Sequence, residues 1–243
     1  MTVQYTPPAF VERYQYKNCK QVNDPVTRKR VYLTPDGESL PSVTTILSAT
    51  KDMTHLNEWK KRVGAEKAQQ IVTEASGRGT SMHQNLESFI AGVARQQGNN
   101  LVHQIANKMA DNIIQNGLND VDEVWAMEQS LYYPEVFSGT TDLVCVHKGI
   151  PCIADYKQSN KPKDRKWIDD YFMQLLFYGT AHNKVYGTDI QKGIIFMAVK
   201  PPVNEITGEI GESTYQEFVV EGAEWKKYES MMWDKIEAYY KLV

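Results

Sequence analysis

Residues 139–157, GTTDLVCVHKGIPCIADYK, predict a β-hairpin around which the other elements can be arranged. Two apolar runs flank Lys148-Gly149, and a two-residue turn at that dipeptide would place Asp142 directly opposite Asp155. Directly opposed residues have Cβ atoms about 4.5–5.5 Å apart. Because two carboxylates at that separation repel each other, a cation between them would stabilise the pair. The stretch therefore predicts a metal-binding hairpin.

The chemistry of this hairpin follows from the period of a strand. Lys157 lies two residues beyond Asp155, so both side chains project from one face. Mg²⁺ accepts carboxylate oxygens at about 2.0–2.1 Å, and a lysine beside it can orient or help deprotonate a water and stabilise charge at phosphorus. Cys145 and Cys152 pair on the opposite face and are expected to be reduced core neighbours. A surface hairpin with idle charges is the alternative.

The flanking patterns predict an α/β (α+β) fold with a mixed central β-sheet flanked by helices. Ser42 is the expected N-cap of a helix over 43–47. The other predicted helices cover 55–74, 79–92, 99–117, 167–186 and 222–242. The predicted strands cover 121–133, 140–146, 151–156, 194–199 and 215–220. We expect one domain over 1–243, with a β-rich extension at 1–40, a helical half at 41–120 and a sheet core at 121–243.

Composition excludes several classes of protein. The chain has 243 residues and a formal net charge of −3, which argues against coating nucleic acid by bulk charge. Three cysteines cannot build a disulfide scaffold or a four-cysteine cluster. No apolar run approaches the roughly 18 residues of a membrane span. The first ten residues lack signal or transit features, so a cytoplasmic setting is expected. No Walker motif appears, so ATP coupling is not expected.

Five segments together resemble a known family. Gly139–Asp142 and Asp155–Lys157 resemble the core motif of the PD-(D/E)xK nuclease superfamily. Gln174–Tyr178 resembles the Q-x-x-x-Y motif of its RecB-like exonuclease branch, and Arg78–His83 resembles the upstream helix with a metal-binding histidine. Pro41–Leu47 adds likeness to the mitochondrial genome maintenance exonuclease family and its phage and bacterial relatives. The resemblance implies a restriction-endonuclease-like core and a helical arch that admits single strands.

The resemblance also implies roles for individual residues. The expected ligands of one or two Mg²⁺ or Mn²⁺ ions are His83, Asp142, Asp155 and the Tyr156 carbonyl, with Glu128 in second rank. The expected catalytic residues are Asp142, Asp155, Lys157, Gln174 and Tyr178. The expected nucleic-acid contacts are Ser42, Thr44, Arg78 and Thr80. No iron–sulfur cluster is expected, because the cysteines that hold one in some RecB-like nucleases are absent here.

Basic and aromatic residues add further candidates. Lys161, Lys163, Arg165 and Lys166 precede the helix that carries Gln174, and four cations there suit a phosphate backbone, although a solvated loop is an open alternative. Trp125, Trp167 and Trp225 are expected in the core. Trp59 and Tyr171 could stack on bases, although ordinary packing is the favoured interpretation.

These observations lead to one functional hypothesis and two alternatives. We expect a monomeric, metal-dependent DNA exonuclease that prefers single-stranded ends. It would act in replication, repair, recombination or phage DNA metabolism, the last in the host cytoplasm. The alternatives are a structure-specific endonuclease on the same fold and a non-catalytic nucleic-acid-binding protein.

Overall fold

The computed structural model describes residues 5–25, 28, 30–96 and 98–243. Its strands are β1 Ala9–Phe10, β2 Lys20–Asn23, β3 Arg30–Leu33, β4 Ser39–Pro41, β5 Val121–Tyr133, β6 Phe137–His147, β7 Ile150–Ser159, β8 Lys192–Val199 and β9 Thr214–Glu221. Its helices are α1 Val43–Ala49, α2 Thr54–Val63, α3 Ala65–Ile90, α4 Leu101–Asn116, α5 Asp169–Tyr186 and α6 Gly222–Tyr240. Within the described ranges, no helix combines the length and the apolar character needed to cross a membrane.

A six-stranded mixed sheet forms the centre of the molecule, in the order β1-β5-β6-β7-β8-β9. Strand β1 is parallel to β5 and β7 is parallel to β8, whereas the other neighbours are antiparallel. Helices α5 and α6 pack on one face, and α3 and α4 pack on the other. The predicted mixed sheet flanked by helices is confirmed. A small antiparallel sheet, β2-β3-β4, stands beside it.

The hairpin of β6 and β7 has the predicted register. Lys148 and Gly149 adopt φ angles of 51° and 77°, as a two-residue hairpin turn of type I′ requires. Cys145 pairs with Cys152, and their free thiols lie 3.4 Å apart, sulfur to sulfur. The ladder between the two strands ends one pair short of Asp142 and Asp155. From Ile153 onward β7 also pairs with β8, and beyond Ala154 it pairs with β8 and no longer with β6.

The helical half differs from the prediction at one boundary. The sequence predicts a break between 74 and 79, but α3 continues through it to a length of 26 residues. The break falls instead at Gly64, whose φ of 88° ends α2. Buried side chains further along α3, such as Met82 and Leu86, anchor the helix to the core. This packing outweighs the weak helix propensity of glycine at 77 and 79.

Two further differences concern the N-terminal region and a tryptophan. One or two small hairpins were expected in residues 1–40, and the structure has two that share β3, whereas strand β1 was not predicted from the sequence. Residues 1–4, 26, 27 and 29 of the predicted β-rich extension lie outside the described residues. Trp125 and Trp225 are buried, as predicted, but Trp167 is 66% exposed. The prediction for Trp167 is wrong because that residue ends a short 3-10 turn, Arg165–Trp167, before α5 begins.

Candidate metal and nucleic-acid site

The predicted acidic pair lies where β6 and β7 separate. Asp142 Oδ2 accepts a hydrogen bond of 2.7 Å from the main-chain N–H of Tyr156, which continues β7 beyond the end of the ladder. Asp155 is 2% exposed, and its carboxylate contacts the ammonium group of Lys157. The two strands therefore stop pairing here, and the carboxylate of Asp142 lies between them just beyond the last ladder pair.

Helix α3 brings His83 to the same place. Its Nε2 lies 3.0 Å from the carbonyl oxygen of Tyr156, and its Nδ1 lies 3.6 Å from Asp142 Oδ2. Thr80 is exposed three residues earlier on α3, on the same side of the helix as His83. The structure thus gathers an imidazole, a main-chain carbonyl and the carboxylate of Asp142 from three different elements.

Glu128 joins this group from β5. It lies between the pairs Met127–Leu143 and Gln129–Thr141, so it stands beside Asp142 in the sheet. Its φ of 48° is left-handed, which costs a non-glycine residue roughly 1–2 kcal/mol. One ligand atom each from His83, Glu128 and Asp142 lie within 4.8 Å of one another. Glu128, the third member of this cluster, is therefore also the residue with the strained backbone.

The charges in the cluster perturb one another. Burial and the neighbouring Asp155 raise the pKa of Asp142 to about 6. Part of the Glu128 side chain reaches solvent, yet desolvation and then Asp142 raise the pKa of Glu128 to about 8, with a contribution from Glu87. Burial alone would lower the pKa of Lys157, but Asp155 and Asp142 outweigh it and raise that pKa. Lys157 is therefore an ammonium ion at neutral pH, and the two carboxyl groups beside it belong to Asp155 and Asp142.

The donor set fits a divalent cation. Asp155 Oδ2 is buried, and the Lys157 ammonium contacts it. Asp142 and Asp155 together place two carboxylates beside this one ammonium group, and a divalent cation would offset the remaining negative charge. Carboxylate and carbonyl oxygens are suitable ligands for Mg²⁺ and Mn²⁺, and the imidazole of a histidine is also a suitable ligand for Mn²⁺. The residues able to hold an ion are His83, Glu128, Asp142, Asp155 and the Tyr156 carbonyl.

Helix α5 adds polar groups on another side of the cluster. Gln174 Nε2 lies 3.4 Å from the hydroxyl of Tyr178, and both residues line a pocket of about 250 Å³ together with Glu128. Ser42 and Thr44 line the same pocket, which places five of the predicted site residues in one cavity. Ser42 is 1% exposed, and its hydroxyl accepts the Thr45 N–H that begins α1. Burial raises the pKa of Tyr178, so its phenol stays a neutral donor.

Arg78 differs from its expected role as a nucleic-acid contact. It is 1% exposed, and its guanidinium donates to Gln158 at 2.7 and 2.9 Å, to Asn160 at 2.5 Å and to Glu74 at 3.2 Å. These bonds tie α3 to the end of β7 and the residue after it. Because the guanidinium is buried and already bonded to these side chains, Arg78 holds two elements of the fold together and is not a cation on the surface.

The predicted basic run divides into two parts. Lys161 and Lys163 line a cleft of about 580 Å³. Arg165 instead binds Glu224 of α6 at 2.5 Å and the Val219 carbonyl at 2.7 Å, and Lys166 lies 3.3 Å from Asp164. The expected phosphate contact of Arg165 is therefore replaced by a contact between two parts of the fold.

The same cleft contains Trp59 of α2 and Tyr171 of α5, which the sequence had offered as residues that could stack on bases. It also contains Arg62 of α2 and Trp167 just before α5, which sequence analysis did not assign to the site. The Tyr171 ring lies 5.1 Å from Lys157 Nζ, so the cleft adjoins the acidic cluster. The position of Trp167 at the end of the basic segment 161–166 was the available signal for it. Glu87, whose charge contributes to the raised pKa of Glu128, lies one helical turn after His83.

The fold and the site together are those of a mixed-sheet protein with an acidic, histidine-containing centre, consistent with an α+β nuclease fold. No family model matches the chain. The chain is similar to mitochondrial genome maintenance exonuclease 1 of Mus musculus, with 28% identity over 173 residues that cover 67% of this chain and 50% of the relative. The protein of the same name from Xenopus tropicalis is 28% identical over 175 residues, which cover 67% of this chain and 49% of the relative. The Homo sapiens protein of that name is 26% identical over 174 residues, which cover 66% of this chain and 49% of the relative.

These similarities support a place for the chain among nucleases. The chain spans about half the length of the curated relatives that it matches. Their name describes an exonuclease of genome maintenance, which agrees with the geometry of the acidic cluster.

Proposed function

We propose that this chain is a divalent-metal-dependent DNA exonuclease of the PD-(D/E)xK type that hydrolyses phosphodiester bonds at single-stranded ends. The observation that supports it most directly is the convergence of His83, Asp142, Asp155 and Lys157 where β6 and β7 separate. The similarity to proteins named as genome maintenance exonucleases supports DNA as the substrate. DNA replication, repair, recombination and phage DNA metabolism are the settings that suit such an activity.

The protein groups have separate tasks in this proposal. His83, Asp142, Asp155 and the Tyr156 carbonyl would hold Mg²⁺ or Mn²⁺, with Glu128 beside them. When bound, such an ion polarises a phosphoryl oxygen and lowers the pKa of a coordinated water. Lys157, as an ammonium ion, would donate hydrogen bonds to the attacking water and to the charge that develops on the phosphate.

The pocket of Gln174 and Tyr178 would position the phosphate. Their amide and neutral phenol are donors, and Thr44 lines the same cavity. Lys161 and Lys163 in the adjoining cleft would pair with phosphates further along the strand. Such contacts fix the position of a strand and carry no base sequence, so the activity should be independent of sequence.

The test is a titration of Mg²⁺ and Mn²⁺ on linear single-stranded DNA labelled separately at each end, beside a circular single strand. We expect stepwise shortening of the linear strand, loss of activity in Lys157→Ala, and no cutting of the circle. Lys148→Asn is the matched control, because it replaces a lysine at the turn end of the same hairpin with a residue that tolerates left-handed backbone.

Two results would contradict the proposal. Cutting of the circle would favour a structure-specific endonuclease. DNA binding without cleavage in either metal would favour a non-catalytic binding protein. One domain over residues 1–243, a monomeric state, a cytoplasmic setting and the absence of ATP and of an iron–sulfur cluster stay predictions.

A further inference from the structure

Several aromatic rings line the cleft beside the acidic cluster and are partly or largely exposed to solvent. We call it the aromatic cleft, and its ring-bearing residues are Trp59, Trp167 and Tyr171. Trp167 is 66% exposed, although an indole is among the most favourable side chains to bury. Trp59 is half-buried on α2, a helix without a fully buried residue. Two separate elements therefore present indoles to one cavity.

Three of the four cations that line the aromatic cleft form no described ion pair; the fourth, Arg78, is paired with Glu74. Arg62, Lys161 and Lys163 line it, and its lining includes no aspartate or glutamate. Among the described ion pairs none involves these three cations, whereas Arg165 and Lys166 just beyond them are paired with carboxylates. In a chain of net charge −3, a cleft with unpaired cations and exposed rings favours a ligand with both negative charge and flat apolar faces.

The aromatic cleft is also close to the reacting centre. Tyr171 lines it, and the Tyr171 ring lies 5.1 Å from Lys157 Nζ. Gln158, the residue after Lys157, lines it as well. A strand with one phosphate at the acidic cluster would therefore have a neighbouring nucleotide in the cleft.

We propose that the aromatic cleft is a nucleobase-stacking subsite, in which Trp59 and Trp167 stack on unpaired bases while Lys161 and Lys163 pair with the adjoining phosphates. This proposal rests on the proposed function for the position of the strand. Every base has a π-face, so stacking is tolerant of sequence. In a duplex the faces of a base are covered by its neighbours, so the subsite selects single strands over duplexes.

The test compares a base-containing oligonucleotide with an abasic one of equal length and phosphate count. Binding is measured by fluorescence anisotropy in EDTA, which prevents metal-dependent cleavage, and again in Mg²⁺ on a Lys157→Ala background. Stacking is worth about 1–3 kcal/mol per base, so Trp167→Ala should weaken binding of the normal strand by roughly 5- to 150-fold. Trp59→Ala should act in the same direction, and Trp167→Phe should lose less.

The abasic strand separates stacking from every other role. Trp167→Ala and the wild type should bind it equally, because no base is present to stack. Ile206→Ala is the matched control: it removes an exposed apolar side chain outside the cleft and should change neither affinity. Thermal denaturation checks that the variants are folded.

The outcomes distinguish this proposal from the proposed function. Equal losses on both strands, or no loss on either, would overturn the stacking subsite even if the protein degrades DNA. Base-dependent losses in a protein that cleaves nothing would support the subsite and count against the nuclease. Equal affinity of the wild type for duplex and single strand would overturn the proposed selection of single strands.

Discussion

The replacement Arg78→Met distinguishes a structural tie from a nucleic-acid contact. Methionine keeps the apolar stem of the arginine side chain and removes the guanidinium. Glu74, Gln158 and Asn160 then lose a shared donor at the junction of α3 and β7. The structure predicts a large loss of stability, whereas the family resemblance predicts a loss of DNA binding in a stable protein.

The magnitude follows from burial. Removing one partner of a buried charged pair costs about 3–5 kcal/mol. Glu74 keeps Lys200 at 2.9 Å, and part of its side chain reaches solvent, so we expect a value near the lower end of that range. For a chain of this size 1 kcal/mol shifts the melting temperature by roughly 2–4 °C. Arg78→Met should therefore lower it by about 6–12 °C.

Urea and thermal denaturation measure this loss, and anisotropy in EDTA measures binding of single-stranded DNA. Arg62→Met is the matched control, because Arg62 is exposed in the same cleft and forms no described ion pair. It should keep the wild-type stability and weaken DNA binding. Arg78→Met with wild-type stability and weakened DNA binding would refute the structural role of that guanidinium.

Three other perturbations test separate parts of the molecule. Desolvation of the inner part of the side chain and the nearby Asp142 raise the pKa of Glu128 to about 8 from an ordinary 4.5. The metal-free folded state therefore binds a proton that the unfolded state has lost, and its free energy of unfolding should fall as the pH rises between those values. Melting in EDTA should show a smaller fall in Glu128→Gln, and an identical slope would contradict the assignment. Gly179→Ala would put a Cβ 2.6 Å from a tryptophan ring carbon and should cost about 1–3 kcal/mol in urea denaturation, whereas Gly77→Ala meets no atom within 4 Å and should stabilise by roughly 0.5–1 kcal/mol. Each phosphate contact contributes about −0.7 to the slope of log affinity against log salt for a single strand, so Lys161→Ala should make the slope shallower by about that amount and Arg165→Ala should not.

Local rules predicted the hairpin and its register. A two-residue turn fixes which residues face each other, so Lys148-Gly149 alone placed Cys145 against Cys152. The helix boundary at Gly64 did not follow from such a rule. Glycines 64 and 77 are equally plausible breaks in the sequence, and only the packing of α3 against the core distinguishes them.

The acidic pair was predictable because both carboxylates belong to one hairpin, where sequence separation fixes distance. The position of Glu128 was harder to predict, since β5 and β6 pair with register shifts between Val121 and Ala126. A shift of one residue moves a side chain to the other face of a sheet. The sequence could therefore name Glu128 only by resemblance, whereas the structure puts it beside Asp142.

Contacts distant in sequence determine which cations remain available for a phosphate backbone. Lys163 and Arg165 are two residues apart in one basic run, yet Arg165 binds Glu224, which lies 59 residues away in the chain. No local pattern reports such a partner. Arg62, Lys161 and Lys163 form no described ion pair, and all three line the aromatic cleft together with the exposed indole of Trp167. A single DNA strand offers phosphates to the cations and base faces to the indole, so it is a ligand that would use both features.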